Sequence, residues 1–148
     1  ILKESKALNM TSTSTIAKQQ IADKVEQWTQ MLCESLKQNY ITYSINSHKR
    51  SISINGDETN YHAECIDKLM NGECDYDFVI ESGRKYHKIV MVNNQRSAHA
   101  FVDKQTGEVY KAASWKAPAK GVRFDLRIIN HREFVLEKCD WSGGYLYS

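Results

Sequence analysis

Five apolar residues, Ile21, Val25, Trp28, Leu32 and Leu36, recur at steps of four, three, four and four, with Met31 beside them. A helix of 3.6 residues per turn gathers such a set onto one face, so this stretch predicts a long amphipathic helix that needs a surface to cover it. Ser12 to Thr15 offer hydroxyl caps, no Gly or Pro intervenes before about Asn39, and Lys18, Lys24, Glu26, Gln30 and Lys37 fill the wetter faces. From Asp77 the texture changes to short β-type runs separated by polar turns. Phe78–Ile80 leads to Ser82-Gly83, Tyr86–Val92 to Asn93–Gln95, and Ser97–Val102 to Thr106-Gly107 and Val109-Tyr110. Runs of this kind predict an antiparallel meander. A leading helix followed by consecutive strands is an α+β arrangement.

The middle of the chain reads less directly. Tyr40–Ile45 and Ser51–Ile54 are β-branched and alternating, and they flank the polar stretch Asn46–Arg50, which predicts a β-hairpin closed by Asn55-Gly56. Between Glu58 and Asn71, residues Tyr61, Cys65, Ile66, Leu69 and Met70 return to helical spacing before Gly72, which predicts a second helix. Pro118, the single proline, marks Ala112–Gly121 as a loop or broken turn. Val122–Ile129 alternates again and predicts a fifth strand. Asn130, three residues before Glu133, suggests a capping box opening a short helix to about Cys139, with Tyr145–Tyr147 as a last strand after Gly143-Gly144. A meander, a small barrel and a curved open sheet share this signature.

At 148 residues the expectation is one domain. The first methionine is Met10, so residues 1–10 are read as a leader or a mis-called start, and 11–148 as the domain. The longest apolar runs, such as Ile89–Val92, are about four residues, far short of the roughly twenty that a bilayer span needs. Cys33, Cys65, Cys74 and Cys139 match no common spacing and are expected to be reduced and structural, in a cytoplasmic setting.

Several chemistries can be set aside. His62-Ala63-Glu64 resembles the start of a zinc-deaminase signature, but the following cysteines, Cys65 and Cys74, are nine residues apart, with no proline before either. There is no Gly-x-Ser-x-Gly elbow, and Gly143-Gly144 has no following helix to cradle a phosphate. No metal site and no cofactor is expected. His99, between Ala98 and Ala100, fits a satisfied sheet histidine better than a general base.

Charge segregation is what remains. Arg84 to Arg127 carries ten Lys/Arg against three acids, a net +7, while the rest of the chain carries −5. Asp57–Glu81 holds eight acids against Lys68 alone. Tyr86, Phe101, Tyr110, Trp115 and Phe124 interleave with the basic residues. Cations neutralise phosphates and ring faces stack on bases, so the pattern suits single-stranded nucleic acid. Lys111, Trp115, Lys116 and Lys120 are the leading candidates, with Lys85 and Arg123 extending the track. The plainer reading is a solvated sheet face on which lysine is the common outward residue.

The segments Arg96–Lys104, Thr106–Lys111 and Ala113–Lys120, with Gly83–Tyr86 and the ending Asp140–Tyr147, resemble an uncharacterised family of small proteins of tailed phages, nearest to those of marine cyanophages. The resemblance covers about residues 77–148. It implies expression in the cytoplasm of an infected bacterial cell and implies no activity. Three function classes follow. The first is a nucleic-acid-binding accessory protein, and the second is a module that contacts a host or phage protein through its two-sided charge. The third is an enzyme on nucleotides, hinted at only by His99 with Arg96 and Lys111.

Overall fold

The computed structural model describes residues 2–147, with side chains from Ser14 onward. The reading of residues 1–10 as a leader falls mostly on side chains outside that range. Helix α1 (Leu2–Asn55) opens the fold and is 54 residues long, about 80 Å at 1.5 Å per residue. Of the predicted stripe Val25, Leu32 and Leu36 are buried and Ile21 and Trp28 half-buried, joined by Thr29 and Cys33, which the spacing did not single out, while Met31 is exposed. The Thr29 hydroxyl is satisfied within the helix, donating to the Val25 carbonyl at 2.7 Å.

The expected hairpin at 40–54 does not form; those residues continue α1. The alternating sequence also carries a helical stripe: Tyr40, Ile41, Ser44, Ile45, His48, Ser51 and Ile52 are buried or half-buried, while Thr42, Tyr43, Asn46 and Ser47 are exposed. β-Propensity is a weak preference that tertiary burial overrides. Here the burial comes from Tyr76, stacked on Tyr40 at 4.0 Å, and from a second helix, α2 (Tyr61–Met70). The helix ends only at Gly56, whose φ of +73° turns the chain while its amide donates to the Ile52 carbonyl. Asp57 then accepts the His62 and Ala63 amides, which anchors the start of α2. The predicted second helix is thus present.

The sheet has five strands in the order β1 (Asp77–Ser82), β2 (Tyr86–Val92), β3 (Arg96–Asp103), β4 (Glu108–Lys111) and β5 (Phe124–Asp125), each antiparallel to its neighbour. It is the predicted meander, and it stays open rather than closing into a barrel. One face carries Phe78, Ile89, Ala100, Val102 and Val109 into a cluster with Val25, Leu32, Cys33 and Leu36 of α1. Burying a Val, Leu, Ile or Phe side chain contributes about 1.5–3 kcal/mol, and Leu126, Val135, Cys139, Tyr145 and Leu146 join α1 in covering this face. A register shift between Ile89 and Val90 leaves His99 as the extra residue of a bulge in β3.

The C-terminal third departs from the alternation pattern. Of Val122–Ile129, only Phe124-Asp125 pairs, opposite Val109 and Glu108. Asp125 ends the strand because its carboxylate accepts the Arg127 amide and its carbonyl accepts the Ile128 amide. Helix α3 (Ile129–Lys138) begins one residue before Asn130, and no side chain caps it, so the Asn130/Glu133 capping box is absent. Tyr145–Tyr147 is no strand: Gly144–Leu146 forms a 3-10 turn. That turn buries Tyr145 and Leu146 in the core cluster, and the Trp141 amide donates to Asn39 Oδ1 of α1 at 3.0 Å.

Candidate functional site

Alternation along β2 turns His87 and Ile89 inward, leaving Tyr86 and Lys88 on the opposite, outer face. Strand register then sets Glu81, Lys88, Phe101 and Tyr110 in one row across that face. Tyr86 meets both Phe101 and Tyr110 edge-on, at 5.9 and 6.0 Å. Phe101 is only 2% exposed, so it floors this surface and cannot act as a stacking platform.

The segment after β4 is more ordered than a broken loop. Ala112 bridges to Pro118, the Ala113 and Ser114 amides donate to the Ala117 carbonyl, and the Ala119 amide donates to the Lys111 carbonyl. This pinched turn lays Trp115 against β2, where the Lys88 ammonium sits 3.7 Å from the Trp115 ring centre. Trp115 remains 39% exposed. Lys116 joins Arg84, Lys85, Tyr86 and Lys88 around a depression of about 280 Å³. Glu81 is the acid there, and it is engaged by Lys88 at 3.7 Å and Arg96 at 2.9 Å. Among the described residues, Arg84, Lys85 and Lys116 have no carboxylate partner. The Lys104 ammonium donates to the Gly83 carbonyl and so steadies the turn that presents Arg84 and Lys85.

The six sequence candidates therefore separate. Lys85 and Lys116 line the outer-face depression, whereas Trp115 lines a separate hollow with Arg96 and Ser114 and is tied to the first through Lys88. Lys111 points elsewhere, lying 3.9 Å from the Tyr147 ring centre at a second cavity. Lys120 is exposed and lines neither hollow, while Arg123 is half-buried with an Nε that has no partner. Arg84 and Lys88, which the sequence reading does not single out, line the same depression. The period-two spacing of Tyr86 and Lys88 was the available signal, since it places both on the face away from the core.

The buried cysteines are not poised for chemistry. Burial pushes the Cys33 thiol up to about 12 and the Cys139 thiol up to about 11, so neither is a ready nucleophile. All four cysteines are free. Between α1 and α2, His48 Nδ1 and His62 Nδ1 lie 2.8 Å apart, so one ring donates its Nδ1–H to the bare Nδ1 of the other. Among the described residues no group of three His, Cys, Asp or Glu side chains is placed to hold a metal ion, and no helix is long and apolar enough to cross a membrane.

The sequence pattern of a family of unknown function, DUF7717, matches residues 10–148. The chain belongs to the DUF7717 family. No curated protein and no solved structure matches it. This DUF7717 chain is thus a member of an uncharacterised family whose match spans α2, the whole sheet, α3 and nearly all of α1. Family membership carries no statement of phage origin, and the outer-face depression is read on its own chemistry.

Proposed function

We propose that this protein is a nucleic-acid-binding accessory protein, phage-related as its resemblance implies, that passes a single strand of RNA or DNA across the outer face of the sheet. The observation that carries the reading is the gathering of Arg84, Lys85, Lys88 and Lys116 around one hollow, with the partly exposed Trp115 ring in contact with Lys88 and lining the neighbouring hollow. Three of the four cations have no carboxylate partner, so phosphates can take that place and release their counterions. Lys88 holds one face of the Trp115 indole, and a base can stack on the other.

Four cations predict a log–log salt slope of roughly −3 on single strands, since each neutralised phosphate contributes about −0.7. Fluorescence anisotropy with short single- and double-stranded DNA and RNA, titrated from low to physiological salt, tests this. Lys116→Ala is expected to flatten the slope by about 0.7 without changing sequence preference. Absence of binding even at low salt would end the reading, and the two-sided charge would then direct the search to a host or phage protein.

A further inference from the structure

The cavity that takes Lys111 lies at the opposite end of β3 from the basic hollow. Its volume is about 320 Å³, and Met91, His99, Lys111, Trp141, Ser142 and Tyr147 contribute to its wall. That volume is at the low end of the roughly 300–1,000 Å³ typical of ligand pockets, so it admits one small molecule and not a chain.

Three independent features of the fold build this wall. The β3 bulge re-aims His99, whose Nε2 is 2.8 Å from the Tyr145 hydroxyl and whose ring meets Phe78 edge-on at 5.4 Å. Bulges of this type are common beside binding sites because they redirect one side chain while the ladder continues. Asp140 folds the segment after α3 over the cavity, accepting the Ser142 hydroxyl, the Gly144 amide at 3.2 Å and the Tyr145 amide at 2.9 Å. Its charge is thereby spent on holding the turn. Lys111 is the cation of the cavity wall, and among the described residues it has no carboxylate partner; its ammonium rests on the Tyr147 ring. The result is a small hollow with an ammonium on one side, two aromatic side chains, and hydroxyls at Ser97 and Ser142.

We propose that this cavity binds a single phosphorylated nucleoside, its phosphate on the Lys111 ammonium and its base against Trp141 and Tyr147. A ligand that joins a planar base to an anionic phosphate matches a cation without a carboxylate partner beside aromatic rings, whereas a neutral apolar ligand would give the Lys111 ammonium no counter-charge. His99 stays uncharged in this arrangement and adds a polar edge to the wall without adding a second positive charge. Two sources share the ligand chemistry: a free nucleoside monophosphate, or the 5′-phosphorylated end of a strand held on the outer face. The second source rests on the function proposed above; the first does not.

Isothermal titration with adenosine and uridine 5′-monophosphates, and with oligonucleotides bearing or lacking a 5′-phosphate, tests the site on the full chain. One-to-one binding of a mononucleotide that falls about tenfold or more in Lys111→Gln, and is unchanged in Lys116→Ala, supports the site with a free ligand. Binding confined to the 5′-phosphorylated oligonucleotide, with the same dependence on Lys111, supports it with the strand end as source. Tyr147, which is 65% exposed, provides a variant that leaves the core untouched: Tyr147→Leu should also weaken binding. No binding of any of these probes, or binding indifferent to both Lys111→Gln and Tyr147→Leu, overturns the proposal. Failure of the outer face would appear separately, as a salt slope unaltered by Lys116→Ala.

Discussion

Acidification should loosen the C-terminal seal through His99. Burial lowers its pKa to about 4 from an ordinary 6.5, although Asp140 nearby pulls the other way. Once unfolded, the same ring binds a proton near 6.5, so between those two values the unfolded chain carries the extra proton and stability falls as pH falls. The contribution is fully present above the unfolded value and is lost down to the folded one, at up to about 1.4 kcal/mol per pH unit. Between about pH 7 and about pH 5 the loss assignable to this one ring is about 2 kcal/mol. His99→Gln removes the titration and keeps a polar group within reach of the Tyr145 hydroxyl. His87 is also held low, by burial and then by Lys104, but it is common to both proteins and cancels. Asp140 does not intrude: burial pushes it up, hydrogen bonds from Ser142, Tyr145 and Gly144 outweigh that, and the net lowering takes it out of the window. Urea unfolding of both proteins at the two pH values is the assay. Acidification should shift the stability difference by about 2 kcal/mol in favour of His99→Gln. Parallel losses would refute the reasoning and show that His99 is not held neutral against the cavity wall.

Ser47 is exposed inside the C-terminal part of α1, a little over two turns before its end, where the alternation pattern would have placed a hairpin turn. Ser47→Pro should therefore cost about 3 kcal/mol or more and lower helical circular dichroism, whereas a turn would tolerate it. Gly107 has φ +76°, and a Cβ there would lie 3.1 Å from Arg127 Cγ, so Gly107→Ala is expected to lower stability by about 1–2 kcal/mol in thermal unfolding. If the outer face binds single strands, Trp115→Ala should weaken binding by about 1–3 kcal/mol in anisotropy titrations without lowering the melting temperature to match.

What the sequence reveals here is what local periodicity can encode. The α1 stripe from Ile21 to Leu36, helix α2, and strands β1 to β4 each announce themselves within 16 residues or fewer, and all are present. The errors have two causes, one long-range and one local. Tyr40–Ile54 satisfies both a period of two and a period of 3.6, and only Tyr76 and α2, far along the chain, decide between them. Val122–Ile129 alternates like a strand, yet hydrogen bonds to the Asp125 side chain and carbonyl turn the chain after two residues. The long-range cause also governs the site. Lys85 and Lys116 are 31 positions apart, and their convergence depends on strand register and on the bridge between Ala112 and Pro118. Charge counting could find the basic half of the chain, but it could not separate Lys111, which the end of β4 delivers to another cavity.

The burial of Tyr145 and Leu146 beside Leu32 and Leu36 has a bearing on how the protein is made. Leu36 leaves the ribosome some 110 residues before Leu146, and at about 5–20 residues per second the interval is on the order of ten seconds. Throughout that time the apolar stripe of α1 lacks part of its eventual cover, however early the meander forms. Helix α1, made before the sheet and the C-terminal turn that cover it, is therefore among the last elements to be fully sealed, and it is the segment on which nascent-chain chaperones, or aggregation in their absence, would act.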